Sequence, residues 1–214
     1  MKVVFVTPDE RDDKRLITLA EEALEGGVDA VQLRLKGAAA RELFPLAKII
    51  REIADRVGAS FYVNDRADVA LAAGAAGVHL AGHSLPVAAA RAVLPRPFNI
   101  GVSCHSVAEA IQAETEGADY IYLGTIFPSP SKPDASPVGL EELSRARREI
   151  KIPVIAIGGI TLQNVGAVLS AGADGVAVIS AIAGRRSPRE AAEDLVDAFK
   201  SWKGEKRPTI EVAE

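Results

Sequence analysis

A four-copy repeat is the feature that most constrains the fold of this chain. In each copy a segment with helical spacing ends in glycine, small residues and often an aspartate follow, and a short apolar run comes next. The copies are Gly27-Val28-Asp29-Ala30-Val31, Gly74-Ala75-Ala76-Gly77-Val78, Gly117-Ala118-Asp119-Tyr120-Ile121 and Gly172-Ala173-Asp174-Gly175-Val176. Glycine suits the left-handed conformation that closes a helix. The copies lie 43–55 residues apart, about twice the roughly 25 residues of one βα unit, so the repeat marks every second strand.

Eight short apolar runs, rich in β-branched residues, are the predicted strands. They are about Val3–Thr7, Ala30–Arg34, Phe61–Asn64, Gly77–Leu80, Asn99–Cys104, Tyr120–Gly124, Pro153–Gly158 and Gly175–Ser180. Continuous hydrophobicity in such short runs is typical of parallel strands buried on both faces. The segments between them have apolar residues at helical spacing, and Ser187-Pro188 is a predicted helix start. Strict alternation of eight strands with helices predicts the α/β class and a single (β/α)8 TIM barrel.

The alternative architecture is a doubly wound open sheet. Such sheets usually have fewer strands and a glycine-rich fingerprint after the first strand. Here the first strand runs into Thr7-Pro8-Asp9-Glu10, which is no such fingerprint. We therefore expect one barrel domain over residues 1–203, followed by a polar C-terminal tail over residues 204–214.

Composition and charge narrow the class of function. The 214 residues are 48% hydrophobic and have a net charge of −4, which argues against a nucleic-acid surface, since such a surface is basic. The single cysteine excludes an internal disulfide framework and a cysteine-based zinc cage. No run approaches the roughly 18 apolar residues of a membrane span, and the apolar N-terminal run is too short for a signal peptide. We expect a cytoplasmic protein without a nucleic-acid or membrane partner, and a homo-oligomer is compatible with the sequence.

Barrels of this kind have their active sites at the C-terminal ends of the strands. After the second predicted strand come Gln32, Arg34 and Lys36, whose spacing of two puts them on one face. Two cations and an amide at a barrel mouth suit a polyanion such as diphosphate. A solvated strand end is the simpler alternative.

The third and fourth strands end in groups that suit metal or proton chemistry. Asp65, which follows Asn64, suits Mg²⁺, because this ion prefers oxygen ligands. The alternative, equally compatible with the sequence, is that the Asp65 carboxylate caps the N-terminus of the next helix. His79 alternates with apolar neighbours and is expected to be an interior hydrogen-bonded group, whereas His83 lies in the following loop.

The fifth and sixth strands lead into hydroxyls and a further cation. Ser103 is expected to face the mouth if Cys104, a small buried apolar residue, packs outward. The loop after the sixth strand contains Ser129, Ser131 and Lys132. Long loops in compact domains tend to be functional, so these three residues are a candidate anion clamp, with a plain surface loop as the alternative.

The last two strand ends resemble a monophosphate site. In such barrels the seventh and eighth loops often bind phosphate through backbone N–H groups, and here they contain Gly158-Gly159 and Ser180. A tight turn is the alternative for the glycine pair. Together, the strand ends predict two anion sites, one for a diphosphate with a metal and one for a monophosphate. An enzyme that joins a diphosphate ester to a phosphorylated acceptor needs this layout.

Several motifs, taken together, resemble one enzyme superfamily over roughly Val3 to Lys200. They are Gln32-Leu33-Arg34-Leu35-Lys36, Asn64-Asp65-Arg66, Gly101-Val102-Ser103, Ile126-Phe127-Pro128-Ser129-Pro130-Ser131-Lys132-Pro133-Asp134, Ala156-Ile157-Gly158-Gly159-Ile160 and Val178-Ile179-Ser180. The sequence resembles the thiamine phosphate synthases and their relatives, the TenI-like thiazole tautomerases. In the synthase, the resemblance implies, an aminopyrimidine methyl diphosphate loses diphosphate with the help of Mg²⁺. The nitrogen of a thiazole phosphate then captures the carbocation.

The resemblance also assigns roles to individual residues. It implies that the pyrimidine diphosphate is held by Gln32, Arg34, Lys36, Asn64, Ser103 and Lys132, and that Asp65 binds Mg²⁺. It implies that the thiazole phosphate is held by Ser129, Ser131, Gly159, Ile179 and Ser180. Arg34, Lys36, Ser103 and Lys132 are the expected catalytic residues, because cations and donors stabilise a leaving group of high negative charge.

Two departures from the synthase pattern keep alternatives open. In the synthase a second metal-binding aspartate follows the fourth strand, whereas this chain has Ser84 there, which weakens the expectation of Mg²⁺. Ser84-Leu85 resembles the tautomerase branch, but that branch can have a histidine after the sixth strand, where this chain has Thr125. The primary hypothesis is a thiamine phosphate synthase, a transferase. The alternatives are a thiazole tautomerase, which is an aromatizing isomerase, and a non-catalytic protein that binds or senses thiamine-related ligands.

Overall fold

The eight predicted strands form one closed parallel sheet, which confirms the (β/α)8 barrel. The structure is a computed structural model that describes residues 2–202, so the predicted tail, residues 204–214, lies outside the described residues. The strands are β1 (Val3–Val6), β2 (Ala30–Leu33), β3 (Ser60–Asn64), β4 (Gly77–Leu80), β5 (Asn99–Cys104), β6 (Tyr120–Leu123), β7 (Val154–Ile157) and β8 (Gly175–Val178). Each strand pairs with the next, and β1 pairs with β8 to close the barrel.

Helices follow the strands and cover the outside of the barrel. Over residues 2–202 they are α1 (Asp13–Glu25), α2 (Ala40–Arg56), α3 (Ala67–Ala73), α4 (Val87–Val93), α5 (Val107–Thr115), α6 (Gly139–Glu149), α7 (Val165–Ser170), α8 (Ser180–Ala183) and α9 (Pro188–Ser201). The short α8 is additional to the eight helices that the alternation predicts. Ser187 caps α9 as predicted, because its hydroxyl accepts a hydrogen bond from Glu190 N. None of the helices in this part of the chain is long and apolar enough to cross a membrane.

The side-chain period of two divides the core into two parts. Alternate residues of the strands, such as Val4, Val6 and Ala30, pack inside the barrel with three tyrosines. Their neighbours along the strands, such as Val3 and Phe5, pack outward against the helices. Near the C-terminal ends of β2, β3 and β4 the inward residues are polar, because Gln32, Asn64 and His79 continue the inward-facing rows, whereas Val6 at the end of β1 is apolar. The interior of the barrel is therefore filled by packed side chains, and polar groups collect at the C-terminal ends of the strands.

The four glycines of the repeat close helices as predicted. Their φ angles lie between 69° and 97°, in the left-handed region that favours glycine. The aspartates of the repeat have a role that the sequence did not reveal. Asp29, Asp119 and Asp174 accept hydrogen bonds of 2.7–2.9 Å from the backbone N–H groups of Val3, Ile100 and Val154. Each aspartate thus ties the start of its own strand to the start of the preceding strand.

Candidate active site

A cavity of about 210 Å³ opens at the C-terminal ends of the strands. Eleven of the twelve predicted site residues line it: Gln32, Arg34, Lys36, Asn64, Ser103, Ser129, Ser131, Lys132, Gly159, Ile179 and Ser180. The twelfth, Asp65, adjoins the cavity, because Asn64 Nδ2 donates a hydrogen bond of 2.6 Å to its Oδ2. The structure thus brings together residues from the ends of six strands or the loops after them.

The cations after β2 are fixed by the loop after β1. The Thr7 hydroxyl accepts a hydrogen bond of 2.9 Å from Arg34 N and donates one of 3.3 Å to Arg34 O. Asp9 Oδ1 accepts from Lys36 N at 2.9 Å, and its Oδ2 lies 3.9 Å from Arg34 Nη1. These contacts fix the backbone of Arg34 and Lys36, so both cationic side chains project from fixed points at the cavity wall.

Asp65 does not cap the helix that follows it. The cap position of α3 is Arg66, which has no side-chain cap hydrogen bond. Asp65 instead turns toward the loop after β4, where its Oδ1 accepts from Ala81 N at 2.9 Å and from the Ser84 hydroxyl. Its own backbone has a φ of 60°, a left-handed conformation that aspartate adopts more readily than most residues. The carboxylate is therefore engaged by the loop after β4.

Within residues 2–202 no group of three histidine, cysteine, aspartate or glutamate side chains could hold a metal ion. Asp65 is the carboxylate at this edge of the cavity, and Ser84 stands where a second carboxylate would complete a pair. Mg²⁺ binds through one or two carboxylates when substrate phosphates supply further oxygens. The donor set therefore fits Mg²⁺ when a bound diphosphate provides the remaining ligands.

His79 is the interior hydrogen-bonded group that the alternation predicts. Its Nε2 lies 2.9 Å from Ser103 Oγ, and its ring stacks on Tyr122 with 3.9 Å between centroids. Burial lowers the pKa of His79 to about 3, because a buried imidazolium loses its hydration. The ring is therefore neutral at neutral pH and has one donor and one acceptor nitrogen.

Three residues that line the cavity have a buried polar atom without a hydrogen-bond partner among the described residues. The atoms are Gln32 Oε1, His79 Nδ1 and the Tyr122 hydroxyl. The amide nitrogen of Gln32 is already engaged, since it donates to Asn64 Oδ1 at 2.9 Å. Buried polar atoms are nearly always paired, so these atoms mark places where a ligand with polar edges would bind.

Lys132 reaches the cavity from the long loop after β6. Its Nζ lies 3.2 Å from His105 Nε2. Partial burial lowers the pKa of Lys132, and the positive charges of Lys36 and Arg34 lower it further. That repulsion indicates that the three cations face one another, which is the arrangement of an anion site.

The base of this loop is tied to the end of β7. Ile126 N and Phe127 N donate to Ile157 O and Gly158 O at 2.9 and 3.1 Å, and Val138 N donates to Thr125 O at 2.8 Å. A Cβ at Gly159 would lie 2.4 Å from Pro128 O. The glycine pair thus lets the loop backbone pack closely, a reason different from the approach of a phosphate on which the sequence prediction rests.

Three cavity-lining side chains, those of Tyr122, His105 and His83, are absent from the predicted site, and His83 Nε2 lies 3.6 Å from Asp65 Oδ2. Tyr122 lies within an apolar strand, and only its register opposite Ser103 brings it to the site. His105 follows β5 and lines the cavity beside Lys132. The period of two would have indicated Tyr122, whereas the contact of His105 depends on the conformation of the long loop. Cys104 is buried as expected, and burial raises the pKa of its thiol to about 12.

Comparisons with known proteins agree with the resemblance. A profile of the family described as "Thiamine monophosphate synthase" matches residues 3–182. The thiamine-phosphate synthase of Methanoculleus marisnigri is 50% identical over 190 residues, which are 88% of this chain and 90% of that protein. The thiamine-phosphate synthase of Pyrococcus horikoshii is 45% identical over 186 residues, 86% of this chain and 89% of that protein.

The solved structures include one with both high similarity and high coverage. The thiamine phosphate pyrophosphorylase from Pyrococcus furiosus has a TM-score of 0.87 and 40% identity, and the match covers 95% of this chain and 97% of that one. A 3-hexulose-6-phosphate synthase, 22% identical with a TM-score of 0.69 and coverage of 92% and 99%, shares the barrel fold. The profile match and the close relatives establish that this chain belongs to the thiamine monophosphate synthase family.

Proposed function

We propose that this protein is a thiamine phosphate synthase, a transferase that moves an aminopyrimidine methyl group from its diphosphate ester to thiazole phosphate. The observation that carries the proposal is the convergence of the predicted residues on one cavity, which three cations and the loops after β7 and β8 line together. The family assignment supports the same reaction.

Arg34, Lys36 and Lys132 would bind the diphosphate. In the reaction the bond between the methylene carbon and the diphosphate oxygen breaks, and the diphosphate leaves with the electron pair. Cations already fixed at the cavity wall stabilise that charge without reorganising. Asp65, with the Ser84 hydroxyl and the phosphate oxygens, would hold Mg²⁺, which would neutralise part of the same charge.

Gln32, Asn64 and Ser103 would bind the pyrimidine, and His79 would support them. The free acceptor Gln32 Oε1 suits an amino group of the ring, and His79 Nδ1 is a second free position at the same cavity. Both would be satisfied by a bound heterocycle, which is the usual reason for unpaired polar atoms at a cavity. The carbocation left after diphosphate departure then accepts the lone pair of the thiazole nitrogen, which forms the new C–N bond.

Ser129, Ser131, Gly159, Ile179 and Ser180 would hold the thiazole phosphate. They line the same cavity as the cations. Hydroxyls and backbone N–H groups bind a monophosphate without the additional positive charges that a diphosphate needs. The two sets of residues therefore suit two anions of different charge.

The test is to mix the protein with pyrimidine diphosphate, thiazole phosphate and Mg²⁺, and to measure diphosphate release together with the thiamine phosphate formed. Equal amounts of the two products are expected, and omission of the thiazole should abolish the second. A protein that releases no diphosphate at any Mg²⁺ concentration would contradict the synthase assignment. Tight binding of both ligands without turnover would instead support a binding or regulatory protein.

A thiazole tautomerase is the second candidate, and the engagement of Asp65 by Ser84 favours it. An isomerase needs neither diphosphate nor metal, so one carboxylate with its oxygens already hydrogen-bonded would suffice. Solvent deuterium exchange into the thiazole carboxylate phosphate without metal would support this candidate. Thr125, at the position where the tautomerase branch can have histidine, is buried and offers no proton-transfer group of suitable pKa.

The partners implied are small phosphorylated pyrimidine and thiazole compounds. We propose a cytoplasmic location for such a biosynthetic enzyme, with neither nucleic acid nor membrane as a partner.

A further inference from the structure

A row of three polar side chains ends at the cavity mouth. Lys132 Nζ lies 3.2 Å from His105 Nε2, and His105 Nδ1 lies 3.3 Å from Glu109 Oε2. The same carboxylate oxygen accepts from His105 N at 2.7 Å. Glu109 thus holds His105 by both its backbone and its ring, at the start of α5.

The chemistry of the three groups fixes the direction of the hydrogen bonds. An ionised carboxylate only accepts, and an ammonium only donates. In a neutral imidazole one nitrogen donates and the other accepts, so His105 donates from Nδ1 to Glu109 and accepts at Nε2 from Lys132. A carboxylate that sets the tautomer of a histidine in this way also fixes the orientation of the ring.

Lys132 needs such a partner more than an ordinary surface lysine does. It projects from a loop, its side chain has four rotatable bonds, and Arg34 and Lys36 repel its charge. Without an attractive contact at the mouth, the ammonium would favour solvent over the cavity. His105 is the acceptor that the structure puts within reach.

We propose that His105, oriented by Glu109, is a positioning residue that holds Lys132 over the cavity before the diphosphate binds. The inference rests on the proposed function in one respect, namely that Lys132 is a diphosphate ligand. It assigns His105 no contact with the reacting atoms.

A purely structural role makes different predictions. Ser106 caps α5 through a hydrogen bond of 3.2 Å from Glu109 N, and the Glu109 carboxylate completes the helix start. If His105 and Glu109 served only the helix, their removal would change stability and leave the affinity of folded protein for anions unaltered. Binding, and its coupling to Lys132, is therefore the decisive readout.

The experiment is calorimetric titration of the full chain with inorganic diphosphate, using the parent, His105→Ala, Lys132→Ala and the double variant. We expect His105→Ala to weaken binding about 3- to 10-fold, the range for the loss of one hydrogen bond of ordinary strength. The double variant should bind no more weakly than Lys132→Ala, because His105 acts through Lys132. His105→Gln, whose amide oxygen can accept from the ammonium, should retain part of the parent affinity.

Glu109→Gln tests whether diphosphate binding becomes tighter or weaker when the charge of Glu109 is removed. The helix start is kept in this variant, because glutamine serves there as well as glutamate. Removing a negative charge near an anion site would, by charge alone, tighten binding. The positioning role predicts instead that binding weakens about 2-fold, since the amide no longer fixes the tautomer. Glu116→Gln is the matched control at the C-terminal end of α5, where the Glu116 carboxylate accepts from Gln112 at 2.7 Å. The affinity of this variant for diphosphate should equal that of the parent.

Three outcomes would overturn the proposal in distinguishable ways. Equal affinity in the parent and His105→Ala would remove the positioning role and leave the diphosphate site intact. Full additivity of the two alanine substitutions would show that His105 acts independently of Lys132. A parent that binds no diphosphate would overturn the assignment of Lys132 itself, together with this part of the proposed function.

Discussion

The two ends of the barrel use the same kinds of polar residue for opposite purposes. At the N-terminal end, Asp119 accepts from Ile100 N at 2.7 Å and pairs with Arg91, and Asp174 pairs with Arg147 at 3.0 Å. At the C-terminal end, Gln32 and His79 have unpaired buried atoms and the cations face one another. The difference teaches that the partners of a charged residue, rather than its type, separate structural from functional positions.

The same comparison has an energetic side. Charges that are paired and hydrogen-bonded contribute to folding, whereas unpaired buried polar atoms and like charges held together reduce stability until a ligand binds. We therefore expect substitutions at the N-terminal end to change stability first, and those at the C-terminal end to change activity first.

The largest effect should come from Asp119→Ala. The substitution leaves Arg91 and Ile100 N without their shared acceptor, so we expect the free energy of unfolding to fall by about 2 to 4 kcal/mol. Urea denaturation measures it. Asp119→Asn, which keeps an acceptor for Ile100 N, should lose less, and the kcat/KM of the folded fraction should stay close to that of the parent. An unchanged denaturation midpoint would remove the distinction between the two ends.

Arg34→Ala should lower kcat/KM about 10- to 100-fold, the cost of one hydrogen bond to a charged group. Because the substitution relieves repulsion from Lys36 and Lys132, the melting temperature should stay constant or rise. Diphosphate release and a thermal melt on the same sample give both quantities. Lys14→Ala, at the surface of α1, is the control for a lost positive charge. If Arg34→Ala retained parent activity, the diphosphate would have to bind elsewhere.

The pH dependence of stability should report His79. Its pKa is about 3 in the folded protein and near 6.5 in the unfolded chain, so the unfolded state binds the extra proton. Stability is complete above pH 6.5 and falls as the pH drops toward 3, by up to about 1.4 kcal/mol per pH unit. The free energy of unfolding should fall between pH 7.5 and pH 5 in the parent. In His79→Gln this fall should be smaller by about 1 to 2 kcal/mol. Identical pH dependence in both would mean that His79 is not buried as a neutral ring.

The smallest effect should come from Ser84→Asp. A second carboxylate beside Asp65 should lower the Mg²⁺ concentration for half-maximal activity about 3- to 10-fold, since Mg²⁺ binds through one or two carboxylates. Titration of activity with Mg²⁺ measures it, and Ser84→Asn controls for the loss of the hydroxyl. No shift in the Mg²⁺ requirement would contradict the metal position assigned to Asp65.

The parts of the site that follow from strand geometry were predictable from sequence. Gln32 reaches the cavity because it belongs to the inward-facing row of β2. Arg34 and Lys36 follow the end of that strand, where contacts with Thr7 and Asp9 hold them at the cavity. The fold was predictable for a similar reason, since closing glycines and buried strand runs leave few alternatives.

The parts that depend on loop conformation were not predictable. Asp65 offered two equal interpretations, and the choice depends on Ala81 N, sixteen residues away in sequence. The contact between His105 and Lys132 spans twenty-seven residues and exists only because of the path of the long loop. Helical and strand periodicity carries no information on such contacts, because loops have no fixed period.

The loop after β6 enters and leaves the barrel at nearly one point, where Val138 N bonds to Thr125 O. Such a segment resembles an Ω-loop, a compact surface loop whose ends lie close together. Residues 129–136 can therefore vary around the three cavity-lining side chains and the contact between Lys132 and His105, with the tied base and the barrel left in place. Substitutions in this loop are therefore a way to change the substrate preference of the protein, in evolution or by design, without a change in the folding of the barrel.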